Sequence, residues 1–433
     1  MKYTTTRSDK KTYSLREAAF EGLAPDGGLF MPAEIPHADM REVGERAASS
    51  FAEMAEYLAG LFFADDLPRE ELREVTREAF DFPVPMRRLD KNVTSDTCYT
   101  LELFHGPTAA FKDFGAGFMG RMLARLRPEG ERLTILTATS GDTGSAVAHG
   151  FHGVEGIDVV VLYPDGKISD LQESQMTTLG GNIHALRVAG TFDDCQRMVK
   201  ELFSDVAFRA AHRVTSANSI NLLRWIPQSF YYFWGVLQWQ AATGGTTPEI
   251  VVPSGNYGNL SAGMLARRMG LPVRRFVAAS NANDVVPEWL RTGDYRPRPS
   301  VLTVANAMDV GAPSNYERMM ALCGSDVDAV RREVSGFASS DEEIRRAIRE
   351  LYDRYGYISD PHSAAGYAAT VGCGVDGFWL STASAAKFGE VIEPVLGLAP
   401  EIPERLARLL GRPKVSTPVA PDSELLKEFV AEL

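Results

Sequence analysis

Between Arg132 and Ala279 the chain repeats one pattern: a short run of apolar, largely β-branched residues, a turn of small polar residues, then a helical stretch. Leu133–Thr137 leads into Ser140-Gly141-Asp142-Thr143-Gly144 and a helical stretch from Ser145. Ile157–Leu162 leads into Tyr163-Pro164-Asp165-Gly166 and a helical pattern to Leu179. Ile183–Val188 precedes a helix over Asp193–Phe203, and Glu249–Val252 leads through Pro253-Ser254-Gly255 into Leu260–Met269. Arg275–Ala279 closes the series at Ser280-Asn281. Strands this short and apolar, alternating with helices, are those of an α/β fold whose mostly parallel sheets are covered by helices. Such sheets bind ligands beyond the carboxyl ends of their strands, which is where the polar turns fall.

The first ~95 residues have another texture. Gly22–Pro36 is rich in Gly and Pro, and Met40–Phe80 reads as helical. The expected organisation is an N-terminal domain over 1–95, a large α/β domain over 96–131 and 212–433, and a small mobile α/β domain over 132–211. With 433 residues there is ample chain for two or three cores. A formal charge of −12 disfavours nucleic acid, whose backbone demands a cationic face. It does not oppose small phosphorylated ligands held by local donors. The four cysteines form no CxxC pair and read as reduced thiols of a cytoplasmic protein. Met1–Lys10 is polar, without the apolar core of a secretory signal. Trp225–Trp239, the most apolar stretch, is interrupted by Pro227, Gln228 and Gln238 and is too short to span a bilayer.

Three segments carry candidate chemistry. Ser254-Gly255-Asn256-Tyr257-Gly258 sits between a strand and a helix, where glycines admit an anion and the helix start offers free N–H groups. An ordinary strand-to-helix turn has the same composition. Ser140-Gly141-Asp142-Thr143-Gly144 is built alike, and suits either a carboxylate or a plain N-cap. Lys112 stands between Phe111 and Phe114 in FHGPTAAFKDF. It is either a lysine that snorkels from an apolar face or a desolvated amine able to condense with an aldehyde. His149 and His152 can share a helix face, but no third ligand with metal spacing accompanies them.

Taken together these segments resemble one family. LELFHGPTAAFKDFGAGFM (101–119), TATSGDTGSAVAHGF (137–151), SANSIN (216–221), VPSGNYGNLSAG (252–263), NAMDVGAPSN (306–315) and STASAAKF (381–388) are similar, in order, to segments of the threonine synthases, pyridoxal phosphate (PLP) enzymes of fold type II. The resemblance runs over nearly the whole chain. It implies that Lys112 carries the cofactor and serves as the mobile acid and base. It further implies that Ser254, Gly255, Asn256, Tyr257 and Gly258 cradle the cofactor phosphate, and that Thr382 meets the pyridine nitrogen. Asp142 falls where many fold-type-II enzymes have an asparagine facing the cofactor's 3′-oxygen. Ser140, Gly141 and Thr143 are expected at the substrate carboxylate. For the substrate phosphate the candidates are Lys167, Asn218, Ser219, Asn221, Asn281, Ser314, Asn315 and Arg318. The family usually has His-Pro-Ala-Lys after the Thr-Ala of the last motif, and here Ser384-Ala385-Ala386-Lys387 follows, so any role of that histidine is lost or passes to Ser384.

The reaction implied is conversion of O-phospho-L-homoserine and water to L-threonine and phosphate, by γ-elimination and β-addition. A phospholyase giving 2-oxobutyrate and a non-catalytic PLP-binding protein are the alternatives. The expected partners are the small-molecule substrate and the cofactor, with no nucleic acid, membrane or metal, in a monomer or homodimer.

Overall fold

The computed structural model describes residues 1–90, 97–139 and 141–433. Two parallel sheets form its frame. The smaller takes its centre from the expected repeat: β6 (Leu133–Ala138), β7 (Ile157–Pro164) and β8 (Ile183–Val188). β7 has no exposed residue along its whole length, as a central strand covered on both faces must. The larger contains β4 (Met86–Asp90), β5 (Thr97–Glu102), β10 (Glu249–Pro253), β11 (Phe276–Ser280), β12 (Val334–Ala338) and β13 (Gly377–Ser381), in the order β12-β11-β10-β13-β5-β4. All its pairs are parallel except β4 with β5.

The smaller sheet reaches beyond the expected boundaries. Its order is β14-β8-β7-β6-β9, where β9 is Val214–Ser216 and β14 is Thr417–Val419. Neither strand lies within 132–211. The large domain likewise starts before residue 96, because β4 pairs with β5. The tail from Glu404 onward is a strap. Arg405 donates to the carbonyls of Phe104 and Gly106 at 3.0 and 3.1 Å. Lys414 bridges Asp170 and Glu173, and Val415 donates to Thr177 O. A final helix, Ser423–Ala431, then buries Leu426 and Val430 in a core shared with Cys195, Met198 and Leu202.

The N-terminal portion is a three-stranded antiparallel sheet, β2-β1-β3 (β1 Tyr3–Thr5, β2 Ser8–Tyr13, β3 Phe30–Pro32), followed by three helices. The single helical reading of 40–80 divides into Met40–Ala47, Phe51–Phe63 and Arg69–Ala79, with Ser50 capping the second and Pro68 preceding the third. Phe51 and Phe80 pack against Phe114, and Phe80 also stacks on Phe118, so this portion supports the helix that begins at Lys112. Each such aromatic pair contributes about 0.5–1.5 kcal/mol beyond its buried area. The apolar stretch from Trp225 becomes core: Phe230, Tyr231, Tyr232 and Phe233 are fully buried at the start of the helix Phe230–Thr243. Among the described residues no helix is long and apolar enough to cross a membrane.

Candidate active site

Lys112 is the first residue of the helix Lys112–Leu126, which leaves a loop that follows β5. That loop is fastened to the exit of β13. Phe111 N–H donates to Thr382 O at 2.8 Å, Ser384 N–H to Ala109 O at 3.0 Å, and Ala110 bridges Ala383. Behind Lys112, buried Asp113 turns back on Thr108, accepting from its hydroxyl at 2.5 Å and its amide at 3.0 Å. Lys112 and Thr382, 270 positions apart in sequence, are thereby brought to one edge of the larger sheet. Loss of hydration lowers the Lys112 amine from 10.5 to about 8; Asp142 opposes this, while Lys387 and Arg224 assist it. Such an amine supplies far more of the neutral, nucleophilic form at pH 7 than an ordinary lysine does.

The turn after β10 presents a row of free amides at a helix start. Its helix, Gly258–Arg268, has no side-chain cap, and Tyr257 takes the left-handed conformation at φ +58°. Among the described residues the amides of Gly255, Asn256, Tyr257, Gly258 and Asn259 find no acceptor. They are unsatisfied donors at the positive end of a helix dipole. Asn259 is engaged by the hydroxyl of Ser254 and donates to Pro253 O, and Tyr257 OH meets Ser280 Oγ. The polar side chains therefore stiffen the turn and leave its amides free. Gly255 is obligatory, since a Cβ there would lie 2.6 Å from Met308 Cα.

The second turn differs in detail from expectation. Thr139 Oγ1 accepts from the amides of Gly141 and Gly144, at 2.9 and 2.8 Å, and so serves the first turn of the helix Asp142–Phe151, whose own Asp142 side chain is engaged elsewhere. Ser140 lies outside the described residues. Gly141 is at φ +138°, against the Gln172 side chain. Its amide is engaged by Thr139, whereas among the described residues those of Asp142 and Thr143 are free. Asp142 is buried; its Oδ1 accepts from Gln172 Nε2 at 2.9 Å and from Lys387 Nζ at 2.8 Å. Burial alone pushes this carboxyl up, but Lys387 and Lys112 hold it well below the usual carboxylate range.

The phosphate candidates divide sharply. Ser219 and Asn315 belong to the underside of the 254–258 turn. Asn256 Nδ2 donates to Ser219 Oγ at 2.7 Å, and Asn315 Nδ2 donates to Asn256 O at 3.1 Å. Arg318 is fully buried, stacked on Trp225, with Nη1 on Ser219 O and Asn315 Oδ1 and Nη2 on Phe30 O and Ile220 O. This corrects the expectation of Arg318 as a ligand of the substrate phosphate: its terminal nitrogens are fully used in bracing the turn. Asn221 is corrected likewise, since it is buried, caps the helix at Leu222 and donates to Ala19 O at 2.8 Å. Asn281 serves Thr303 and Asp309 in a separate, partly buried network. Ser314 and Lys167 are exposed, and Ser314 N–H donates to Asn256 Oδ1. Asn218 accepts from Thr137 Oγ1 at 2.9 Å.

Two buried charged residues of this region were given no role in the sequence reading. Arg224 is buried against the first turn of the Lys112 helix, where a Cβ on Gly115 would meet its Nε at 2.9 Å. Its Nη1 donates to Ala217 O at 2.6 Å, and its Nε has no acceptor among the described residues. Burial lowers it from 12.5 to about 10, with only the charge of Asp113 in opposition. The other is Lys387. Three positions beyond NSIN, the arginine was within reach of sequence reasoning; the lysine's partner lies 245 positions away.

Comparison with known proteins agrees with this geometry. The family model for pyridoxal-phosphate dependent enzymes matches residues 79–374, that for the threonine synthase N terminus residues 2–80, and that for the threonine synthase C-terminal region residues 363–430. The chain is 41% identical to a threonine synthase of Serratia marcescens, with all of both chains covered. The crystal structure of threonine synthase from Escherichia coli superposes with a TM-score of 0.90 at 41% identity over all of both chains. The PLP-bound threonine synthase of Brucella melitensis gives 0.92 at 33%, covering 100% of this chain and 99% of that one. The residues present fit that cofactor: free amides at a helix start for its phosphate, a depressed lysine amine for its aldehyde, and a neutral hydroxyl, Thr382, on the strand end between them. The chain therefore belongs to the threonine synthase family of PLP-dependent, fold-type-II enzymes.

Proposed function

We propose that the chain converts O-phospho-L-homoserine and water to L-threonine and phosphate, with Lys112 as the cofactor lysine and the general acid and base. The observation that carries the reading is the presence of two separate cationic or N–H-rich positions around Lys112. One is the set of free amides after β10, suited to a phosphate that stays. The other is Arg224, a buried guanidinium that, among the described residues, leaves Nη2 without a hydrogen-bond partner and pairs with no carboxylate, suited to a phosphate that comes and goes. An enzyme acting on an unphosphorylated hydroxy amino acid has no use for the second.

PLP, when bound, supplies the electron sink that stabilises negative charge at the substrate Cα. The chain supplies the rest. The amides of Asp142 and Thr143 receive the substrate carboxylate at the start of their helix, and so fix which bond at Cα faces Lys112. The neutral amine of Lys112 takes the proton from Cα and later returns it. Arg224 holds the phosphate as it departs from Cγ, neutralising the charge that develops on the leaving oxygen. The smaller sheet carries Asp142 and Thr143, and its closure on the larger one shuts out bulk water while a single water adds at Cβ. The reading includes a cytoplasmic location and a monomer or homodimer as the working unit.

The test is an assay on O-phospho-L-homoserine in which L-threonine and 2-oxobutyrate are both quantified. Threonine as the main product is expected. Mostly 2-oxobutyrate and ammonia would make the protein a phospholyase, and retained cofactor without turnover would make it a non-catalytic binder.

A further inference from the structure

Asp142 is paired with one lysine, Lys387, and lies within electrostatic reach of a second, Lys112. Lys387 Nζ is 2.8 Å from its Oδ1, and both side chains are almost wholly buried, at 0% and 4% exposure. Lys387 comes from the short turn Ala385–Phe388 after β13, on the larger sheet, and Asp142 from a helix of the smaller one. The lysine is held from a second side by Thr108 O at 3.1 Å. Thr108 is in turn fixed by Asp113, next in sequence to Lys112, and by Gln175 Nε2 on its carbonyl at 3.0 Å. The ammonium of Lys387 is therefore clamped by a carboxylate, a carbonyl and the surrounding core. It is the less suitable of the two lysines to attack an aldehyde, because a paired ammonium must first lose its proton and its partner.

We propose that Lys387 is the positioning residue that keeps Lys112 uncharged, by engaging Asp142, a carboxylate that would otherwise hold Lys112 as an ammonium. The charged groups around Lys112 make the balance explicit. The charges that bear on it are those of Asp142 on the helix Asp142–Phe151, which favours the ammonium, and of Lys387 in the 385–388 turn and Arg224 on the helix Leu222–Trp225, which oppose it. Asp113, on its own helix, is turned to Thr108. With Lys387 in place the negative charge of Asp142 is matched before Lys112 contributes. Without it, Asp142 has Lys112 as its remaining cationic partner, and a buried carboxylate draws a proton onto a neighbouring amine. Lys387 thereby makes Asp142 tolerable beside a nucleophilic lysine, and it does so without touching the reacting atoms.

The inference rests on Lys112 being the lysine that takes the cofactor, and the experiment separates the two. Apoprotein is prepared for the wild type and for Lys387→Met, Lys387→Arg and Asp142→Asn, and the rate of PLP uptake is followed spectroscopically as a function of pH. Borohydride trapping and peptide mapping then identify the labelled lysine. In Lys387→Met the midpoint of the uptake profile is expected to rise by about one pH unit or more, which is roughly tenfold slower uptake below the midpoint. Lys387→Arg should restore the wild-type midpoint, since it restores the charge, and Asp142→Asn should move it downward. A merely structural pair would weaken retention of the cofactor and leave the midpoint in place. Label on Lys112 with an unmoved midpoint in both Lys387→Met and Asp142→Asn overturns the inference. Label on Lys387 in the wild type overturns instead the assignment of Lys112.

Discussion

Gly120 and Gly150 meet backbone to backbone: a Cβ on Gly120 would run into the carbonyl oxygen of Gly150, and one on Gly150 would lie 2.6 Å from Ala116 O. The two helices in contact there begin at Lys112 and Asp142, so the crossing that admits no side chain also sets the spacing of two site residues. Gly150→Val is expected to cost about 2–3 kcal/mol through overpacking, and to loosen the cofactor more than a surface change of equal cost. Thermal unfolding and PLP titration on the same variant measure both effects. Normal stability and normal cofactor affinity together would show that the helices part without consequence.

Lys112→Ala should leave a folded protein that neither turns over substrate nor shows the absorbance of lysine-bound cofactor near ~410 nm. In the wild type, the neutral amine is the reactive form, so uptake of PLP by the apoprotein rises with pH. Because the amine is lowered from 10.5 to about 8, the rise should be centred near 8, and uptake at pH 7 should exceed that of an unshifted lysine by roughly 300-fold. A profile still climbing above about pH 10 would contradict the depressed value.

Gly255→Val should raise the dissociation constant of PLP at least tenfold. The new side chain meets Met308 and displaces the amides that follow. Fluorescence titration of the apoprotein reads the change directly. If instead cofactor affinity holds while the KM for phosphohomoserine climbs, the two anion positions have been assigned the wrong way round.

Arg224 and Arg318 are both buried arginines, and their substitutions should part company. Arg224→Gln is expected to raise the KM for the phosphorylated substrate by ten- to a hundredfold, about 1.4–2.7 kcal/mol, with cofactor affinity kept. Arg318→Met leaves three backbone carbonyls without donors and should cost stability by about 3 kcal/mol or more, loosening the cofactor turn as a secondary effect. Steady-state kinetics alongside chemical unfolding distinguishes them. A substrate-selective defect in Arg318→Met would return that residue to the phosphate.

Much of the fold was legible because its central strands are local apolar runs: β6, β7 and β8 were each expected to within two residues at either end. The edge strands β9 and β14 were not, since three residues with no alternation acquire strand geometry only from a neighbour remote in sequence. Lys112 and the 254–258 turn could be singled out as candidates because the residues that distinguish them are adjacent in sequence. Arg318 looked like an anion ligand because nothing local reveals that a guanidinium will be surrounded by carbonyls. The part proposed for Lys387 depends on a contact spanning 245 positions, and no local pattern encodes that.

The pairing of β14 with β8 has a consequence for the order of biosynthesis. Lys112, Asp142, Arg224 and Lys387 have all been translated before Thr417–Val419, yet β8 keeps a row of open backbone donors and acceptors until that segment arrives. Arg405, which steadies the Phe104–Gly106 loop ahead of Lys112, is also a late arrival. A nascent chain thus carries every reactive group some time before it can hold them in register. Ribosome-bound chains paused short of Thr417 should be the most prone to pair with one another along that edge.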